Sequence, residues 1–520
     1  MLEFLESFKI SGTLTRWDLV VLVVSVGLLF VIAYVFGRGE KDTRDFFLGA
    51  RRIPAAVACL SFVATEISAV TIIGVPARAY AEDWRYLQFF IGSSVAKVVV
   101  AFLFIPVFFK YNCTSIYEFL RHRFGPATQY AGSVFFFITR LLGSGLRLYA
   151  ACMAISVILG WKLPQTLLAF TVVTIVFIAF GGVKAVVWNG AYQACVFYLA
   201  GAAVVAYLLL HLRGGAESVW RAAADAGRLN VFDFRANLWD PKTFWGANAN
   251  AFFVGLAIFG ADQELVQRLL TVRTRSSSQK AILGTIAFGF PLVCTYLLIG
   301  TLLFLFYHQN PQVALPGRSD EVISHFVVKV LPEGIRGLVL AAIILASIDS
   351  PLSSLSSSFV SDIYRPLINK SAGERHCLWI SRAAVVFFGV VLAVVAYLSK
   401  TVDAVLWSAL EIMSIPAGSI LGVFLLGILT RRRANRGNVV AMVVSALAMT
   451  ALSLLSKGQA EVQFKIIRLG WDWLILVWAI LKPLTNIGWT WLIVFGTIST
   501  FLIGLAIGPA MDRPLPEAKR

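Results

Sequence analysis

The sequence predicts an all-α integral membrane protein. Hydrophobic residues make up 58% of the 520 residues, charged residues only 14%, and the mean hydropathy is +0.80. Apolar stretches of about 20 residues recur along the whole chain, and each is long enough to cross a bilayer as a helix. Helices are the expected form because backbone groups in hydrocarbon must bond within their own segment.

About thirteen spans are predicted from these apolar stretches. The first is long and precedes a charged segment, so we expect a retained helix rather than a cleaved signal peptide. A further segment, 470–487, is a candidate additional span that would change the side on which the chain ends. In chain order the predicted spans are 18–36, 53–80, 85–109, 126–158, 163–180, 186–211, 247–271, 280–307, 334–361, 378–399, 403–429, 438–456 and 488–508.

Basic residues are concentrated in one set of alternate loops, which includes GRGEKDTRDFFLGARR and TRRRANRG. The opposite short loops, near Ala81–Arg85 and Trp161–Lys162, carry far fewer. Because positively charged loops stay in the cytoplasm, we expect a cell-membrane protein with its N-terminus outside and its C-terminus cytoplasmic. The formal net charge of +17 is then explained by residues that face anionic lipid, and it does not indicate nucleic-acid binding.

One transmembrane domain is predicted over 1–520, since no linker divides the chain. The even spacing of the spans allows two five-helix repeats, 53–211 and 247–429. The spans 18–36, 438–456 and 488–508 then lie outside the repeats.

Each repeat opens with a span that contains helix-interrupting residues. Gly74 and Pro76 are expected to break the first such span, and Gly255 and Gly260 the second. Interrupted helices at matching places are typical of inverted-repeat transporters, whose binding site lies at the breaks.

Four ionisable residues within predicted spans stand out: Glu66, Arg140, Arg147 and Asp349. Such residues are costly in a membrane and usually face a cavity or a partner. One interpretation is that the acids and arginines pair with one another. The other is that Arg147, nearer the middle of its span, lines a pathway and binds an anionic group with its planar fork of donors.

Serines crowd the segment SIDSPLSSLSSSFVSDIYRP. Ser347, Ser350 and Ser354 recur at i, i+3 and i+7, so a continuous helix would place them on one face. Hydroxyls beside the freed carbonyls of a broken helix would suit a small hard cation such as sodium, which prefers oxygen ligands. The serines at 356–358 are expected to bond to their own helix or a neighbouring one.

Five collinear motifs carry a family resemblance: ATEISAVTIIGVPARAY, GGVKAVVWNGAYQ, GADQELVQR, SIDSPLSSLSSSFVSDIYRP and GVFLLGILTRRRANRG. Over about residues 17–510 the chain resembles the sodium:solute symporter family, nearest its monocarboxylate, multivitamin and iodide carrier branch. The resemblance implies a LeuT-type 5+5 inverted-repeat bundle that works by alternating access.

The family's shared sodium site is implied by motif at five positions. The backbone carbonyls of the broken helix fall on Ala64 and Ile67, and the partner positions on Ile343, Ala346 and Ser347. Position 346 usually carries a hydroxyl, so Ala346 removes one oxygen unless Ser350 or a water replaces it.

A second departure lies at the motif that enters the sixth span. Where relatives with a second sodium carry an aspartate, this chain has Gly190. Asp349, with Ser350, is a candidate source of the missing carboxylate, and the alternative is that no second ion binds. Proton coupling also stays open, with Glu66 or Asp349 as the titrating or gating group, because burial raises the pKa of a carboxylate.

The predicted function is sodium-coupled symport of a small organic solute, with a carboxylate or another anion favoured. Residues that contact sugar in the sugar-carrying branch are not matched, since Thr71 and Gly255 stand in their places. The alternatives are a proton-coupled or uncoupled carrier and a transporter-like sensor, whereas no motif indicates an enzyme. The oligomeric state is left open. The candidate solute residues are Thr71, Arg147, Phe90, Ser408 and Gly255.

Overall fold

The computed structural model describes residues 14–37, 42–237, 240, 242–315, 317, 321–348, 351–401, 405–457 and 489–511. Within these residues the regular structure is helical, and none of them forms a strand. The all-α prediction is therefore confirmed for the described part of the chain. The candidate span 470–487 lies outside it.

The described helices begin and end close to the predicted spans. Short 3-10 or π-helical segments, such as Val100–Phe104 and Phe359–Ile368, join some of them. In chain order the helices are α1 (Arg16–Phe36), α2 (Thr43–Leu48), α3 (Ala55–Glu66), α4 (Ala69–Ala81), α5 (Gln88–Val99), α6 (Ile105–Lys110), α7 (Tyr117–Arg123), α8 (Pro126–Leu159), α9 (Leu163–His211), α10 (Gly215–Asp225), α11 (Phe244–Gly260), α12 (Gln263–Leu270), α13 (Arg275–Gln309), α14 (Val322–Lys329), α15 (Ile335–Ile348), α16 (Leu352–Ser358), α17 (Glu374–Leu398), α18 (Val405–Leu429), α19 (Arg436–Lys457) and α20 (Leu492–Met511).

Eight helical segments among the described residues are long and apolar enough to cross a membrane, or up to ten if each bent helix pair is one span. Three shorter apolar helices, Leu163–Ala179, Met413–Leu429 and Leu492–Gly508, coincide with further predicted spans. Every predicted span thus overlaps a helix, but the total of thirteen stays a prediction.

Two compact units are formed from separate stretches of the chain. The first consists of Met1–Leu87, Arg140–Val231 and Gln263–Ala409, and the second of Gln88–Thr139, Phe232–Asp262 and Leu410–Arg520. The predicted repeat boundaries, 53–211 and 247–429, stay a prediction.

The first unit is organised around α9, which packs against α1, α3, α13, α15 and α17. Gly182 divides α9, because its backbone has φ +50° and ψ −157°, a conformation essentially confined to glycine. This single residue separates the two predicted spans, 163–180 and 186–211. Further along, Gly190 touches α3, and a Cβ atom added there would lie 2.3 Å from the Oγ of Ser61.

The first predicted break is displaced from its expected position. The helical path stops after Glu66, where Ile67 is extended (φ −91°, ψ 94°), and α4 starts after Ser68. Gly74 and Pro76 both lie inside α4, so the prediction that they interrupt the span is wrong. Because α3 ends at Glu66, the carbonyls of its last turn lack an intrahelical donor.

Helix α15 begins at a carboxylate supplied by α1. Asp18, 1% exposed, accepts hydrogen bonds from the backbone amides of Gly334 and Gly337, both at 3.0 Å, and from Arg336 Nε at 2.8 Å. A negative charge at a helix N-terminus satisfies free amides and complements the helix dipole. The rest of α1 is mostly exposed and apolar, as at Trp17 and Val23.

The serines after α15 are buried and partly occupied by local bonds. Ser354 Oγ donates to the carbonyl of Pro351 at 2.8 Å, and Ser356 Oγ donates to the carbonyl of Ser381 in α17 at 2.8 Å. Ser357 Oγ accepts from the Gln263 side chain at 3.3 Å. The expectation that serines in 356–358 bond to helices is confirmed for the first two.

In the second unit α5 packs against α11, and α19 against α20. Glycines permit the first contact: a Cβ atom at Gly92 would lie 2.4 Å from the Asn248 carbonyl oxygen, and one at Gly255 would lie 2.6 Å from Ala96 Cβ. Gly255 therefore lies inside α11 as a packing residue, and it does not interrupt the helix as predicted. The interruption follows Gly260, the last residue of α11.

Candidate functional site

A small cavity in the first unit is lined by residues from six helices and from the turn between α3 and α4. Its volume is about 40 Å³, and since one water needs about 10–15 Å³, it has room for a few water-sized groups. We name it the Arg147 cavity after one of its two charged lining residues, the other being Glu264. The lining hydroxyl groups belong to Ser68, Ser144, Thr171, Thr174 and Ser347.

The cavity is lined by two of the five predicted sodium positions and by a residue adjacent to a third, whereas Ala64, Ile67 and Ile343 are not lining residues. Ala346 and Ser347 of α15 line it, and so does Ser68, the residue directly after Ile67. Ala64 and Ile67 are 1% and 5% exposed, at the end of α3 where the chain leaves the helix. The break in the first helix and the serine of α15 thus face one shared space.

The donor set at this place fits a sodium ion. Ser347 Oγ donates its proton to the carbonyl of Ile343 at 2.7 Å, so the lone pairs of the hydroxyl oxygen remain available to a cation. Beyond Val63, whose carbonyl accepts from the Ile67 amide, the last carbonyls of α3 have no helical donor. Oxygens of both kinds are the ligands that a hard cation prefers. Ala346 contributes no side-chain oxygen, as predicted.

Arg147 reaches the same helix end. Its Nη2 atom lies 3.4 Å from the carbonyl oxygen of Thr65, and its side chain lines the cavity. Arg147 is thus close to the carbonyls that the sodium ion is predicted to use. The prediction that Arg147 faces a cavity is consistent with this placement.

A buried ion pair adjoins the cavity. Arg140 Nη1 lies 2.5 Å from Glu264 Oε2, with the two side chains 2% and 5% exposed. Glu264 also lines the cavity. The interpretation that membrane acids and arginines pair therefore holds for Arg140.

The other described residues that were predicted for the solute or for proton coupling do not line the Arg147 cavity. Thr71, in the first turn of α4, has its hydroxyl 3.4 Å from that of Ser68. Glu66 ends α3 and is partly exposed, and it is not a lining residue. Phe90 and Gly255 belong to the second unit, where the ammonium group of Lys97 lies 5.6 Å from the centre of the Phe90 ring.

Three predicted site residues fall on parts of the chain that the structure does not describe. Asp349 and Ser350 lie outside the described residues, and so does the side chain of Ser408. The candidate second cation site that they would form, and the role of Ser408 toward the solute, stay predictions.

Gly190, at the position where relatives with a second sodium carry an aspartate, is closely packed. Ser61 fills the space next to Gly190, and Arg268 Nη1 donates to Ser61 Oγ at 2.7 Å. Arg268 is 2% exposed. A Cβ atom at Gly190 would collide with Ser61, and the candidate second cation site stays a prediction.

Sequence reasoning did not identify several lining residues: Ser68, Ser144, Thr171, Thr174 and Glu264. Ser144 could have been found, because it precedes Arg147 by three residues and so shares its helix face. Thr171 gave no such signal, since only the packing of α9 against other helices brings it to the cavity.

Comparisons with known proteins agree with this architecture. The model of the sodium:solute symporter family matches residues 46–445. Sodium-coupled monocarboxylate transporter 1 of Homo sapiens is 30% identical over 454 residues, which are 85% of this chain and 73% of that protein. The sodium/sialic acid symporter NanT of Aliivibrio fischeri is 29% identical over 448 residues, 84% of this chain and 87% of that protein.

Solved structures show the same fold. A Na⁺-coupled sialic acid symporter in a substrate-bound, outward-open state has a TM-score of 0.83 at 22% identity, covering 96% of this chain and 98% of that chain. Mhp1, a nucleobase-cation-symport-1 family transporter, has a TM-score of 0.53 at 14% identity, covering 90% and 93%. These likenesses confirm the LeuT-type fold. The chain therefore belongs to the sodium:solute symporter family.

Proposed function

We propose that this chain imports a small organic anion, with a carboxylate favoured, by coupling its movement to inward sodium flow. The solute crosses the bilayer by alternating access and is not chemically changed. The observation that supports this proposal is the Arg147 cavity, which Ser347, Ala346, Arg147 and Ser68 line together. A cation site and an anion-binding side chain thus share one small space.

The sodium ion would be held by the carbonyls of Ala64 and Ile67 and by oxygens of α15. Ser347 supplies a hydroxyl oxygen, and the Ile343 carbonyl is a further ligand once the Ser347 hydroxyl turns away from it. Ser68 lines the same cavity as Ala346 and is a candidate source of the oxygen that alanine lacks. The ion would thereby bridge two separate helical elements.

The chemistry of Arg147 favours an anionic solute. Its side chain lines the cavity, and arginines within membrane spans commonly mark the path of a substrate or ion. A guanidinium also binds carboxylates with two parallel hydrogen bonds. Thr71, Phe90, Gly255 and Ser408 remain weaker candidates for solute contacts.

Transport requires that sodium and the solute favour the same conformation. A coupling free energy of about 1–3 kcal/mol between the two sites is typical. Each ligand then raises the binding affinity of the other by the same factor. Thermal unfolding of the purified protein tests this directly, because a ligand that binds the folded state raises the unfolding temperature. The panel would contain carboxylates, sugars, amino acids and vitamins, each with sodium and with potassium.

A shift that a carboxylate produces only with sodium is the expected result. Equal shifts in potassium would instead support a proton-coupled or uncoupled carrier, for which Glu66 and Asp349 are the candidate titrating groups. A shift for sugars alone would contradict the anionic solute.

The proposed orientation places the N-terminus outside the cell membrane and the C-terminus in the cytoplasm. It rests on the Lys and Arg of the alternate loops, since such residues are retained on the cytoplasmic side. The basic segment 430–435 lies between α18 and α19 and would then face the cytoplasm.

A further inference from the structure

Positive charge is concentrated in segment 430–436, which connects α18 to the first residue of α19 and contains no acidic residue. We name this segment the arginine loop. It belongs to the second unit, whereas the residues that line the Arg147 cavity belong to the first. Four exposed arginines lie in it: Arg431, Arg432, Arg433 and Arg436.

Hydrogen bonds hold both ends of the arginine loop. Arg123, the last residue of α7, donates from Nη2 to the Thr430 carbonyl at 2.6 Å. At the other end, the Asn435 side chain accepts from the Thr128 amide at 3.0 Å, and Thr128 Oγ1 donates to the Asn435 carbonyl at 2.9 Å. Ala434 is 1% exposed. The arginines are therefore presented by an anchored backbone, which reduces the entropic cost of binding a ligand.

The arginines of α7 add to the positive charge beside the loop. Burial lowers the pKa of the Arg123 guanidinium, and the positive charge of Arg433 lowers it further. These two like charges are therefore close enough to oppose each other. The carboxylate of Glu118, the acidic residue of α7, accepts from the Thr114 backbone amide at 3.0 Å. An anion is the ligand that such a cluster of guanidinium groups favours.

An exposed apolar face of α19 continues from the arginine loop. Arg436, Val443 and Leu447 are spaced i, i+7 and i+11, so they share one face of the helix. Val443 is 42% exposed and Leu447 is 65% exposed, and Leu429, directly before the loop, is 59% exposed. From Arg436 to Leu447 the helix rises about 16 Å, which is roughly half of a hydrocarbon core of about 30 Å. The apolar face therefore extends over the depth of one leaflet.

We propose that the arginine loop and this face of α19 form a binding site for an anionic phospholipid. The phosphate lies among Arg431, Arg432 and Arg433, and the acyl chains follow Val443 and Leu447 into the leaflet. A soluble phosphate would engage the arginines but not the apolar face, so the combination favours a lipid. Clusters of basic residues directly beside a membrane helix are typical of anionic-lipid sites. The inference does not depend on the proposed sodium and solute sites.

The test measures lipid binding by the purified, delipidated full-length protein in detergent. Native mass spectrometry follows the titration of dioleoylphosphatidylglycerol, which is anionic, and of dioleoylphosphatidylcholine, which has the same acyl chains and no net charge. Inorganic phosphate is titrated separately. The charge-removing variant is Arg431→Gln/Arg432→Gln/Arg433→Gln. A second variant with Lys at the same three positions keeps the charges.

A matched control removes the same number of charges from another basic segment. The start of α13 carries three exposed basic residues, and they are in the first unit. Their segment is also one of those that the charge distribution places in the cytoplasm. The control variant is Arg273→Gln/Arg275→Gln/Lys280→Gln.

The unsubstituted protein is expected to bind phosphatidylglycerol at least about tenfold more tightly than phosphatidylcholine, since each basic residue near an anionic headgroup strengthens binding roughly fivefold. For the same reason the triple glutamine variant should bind phosphatidylglycerol at least about tenfold more weakly. The lysine variant and the α13 control should each stay within about threefold of the unsubstituted protein. About 1 M sodium chloride should release the lipid, because exposed charges are screened at that concentration.

Four results would overturn the inference. Unchanged phosphatidylglycerol affinity in the triple glutamine variant would mean that the arginines are engaged elsewhere, and an equal loss in the α13 control would mean that only the total charge matters. Equal binding of the two lipids would exclude recognition of the headgroup. Binding of inorganic phosphate as tight as that of the lipid would identify a site for a free anion. If the glutamine variant does not fold, retention of phosphatidylglycerol in about 1 M sodium chloride contradicts the inference instead.

Discussion

Arg140 and Glu264 place two opposite charges where almost no water reaches them. The sequence shows that an arginine within a span needs a partner, but it does not show which one. Glu264 lies far along the chain, on a helix that begins only after the interruption behind Gly260. The partner is therefore fixed by tertiary packing, as it is for the Ser61–Arg268 contact.

Substitution of Glu264 by Gln is expected to destabilise the protein strongly. It leaves the Arg140 guanidinium buried without this carboxylate, and the loss of one partner of a buried ion pair costs about 3–5 kcal/mol. The double variant Arg140→Met/Glu264→Met should recover much of that loss, because two apolar side chains can replace a buried pair. Thermal unfolding of the two purified variants, compared with the unsubstituted protein, measures this. Equal destabilisation of the single and double variants would show that the pair does not act as a unit.

Substitution of Gly190 by Ala is expected to lower stability by about 1–3 kcal/mol, since an added methyl group overpacks the contact of α9 with α3. The new Cβ atom would lie 2.3 Å from Ser61 Oγ and 3.0 Å from Ser61 Cα. Gly27→Ala in α1 is the control, because no atom lies within 4 Å of its added Cβ. The unfolding temperature decides the outcome, and similar values for the two variants would contradict the close approach of α3 and α9.

At the scale of helices, the spans were predictable and the positions of their breaks were not. Hydropathy locates spans because the bilayer demands a long apolar helix. The break at Ile67–Ser68 contains neither glycine nor proline, so no local signal marks it. Arg147, from another helix, donates to a carbonyl freed by this break. Gly74 and Pro76, by contrast, lie within α4, as membrane helices allow.

Because α9 is divided at Gly182, substitution of this residue is expected to destabilise the protein. Gly182→Ala would force an L-residue into a backbone conformation that costs about 1–3 kcal/mol. We expect a lower unfolding temperature and less folded protein after purification. Gly373→Ala, at a position with φ −68° and open space around its Cβ, is the control. Full stability of Gly182→Ala would mean that α9 tolerates another bend at this residue.

At the scale of the whole molecule, composition and motifs were sufficient for the fold class and the family. The site was predicted in part: Ser347, Ala346 and Arg147 line one cavity beside the α3–α4 break. The hydroxyls of Ser144 and Thr171 were not predicted as lining groups. They belong to two different helices, and the spacing of residues along the sequence does not show how two helices pack.

The orientation of the chain can be tested on intact and inverted membranes. A protease-cleavable tag after Arg520 should be cut in inside-out vesicles and protected in right-side-out vesicles, because the basic loops predict a cytoplasmic C-terminus. A tag before Met1 should behave oppositely. Cleavage of both tags in the same vesicles would indicate an even number of spans, as expected if 470–487 also crosses the membrane.

Asp18 links the first helix, which lies outside both predicted repeats, to the start of α15. A shortened protein that starts at residue 42 would keep both predicted five-helix halves, yet the amides of Gly334 and Gly337 would lose their acceptor. Those amides lie at the start of α15, and Ser347 lies near the other end of that helix. Trimming the chain to its two predicted repeats is therefore expected to destabilise the start of α15, the helix that presents Ser347 to the cavity.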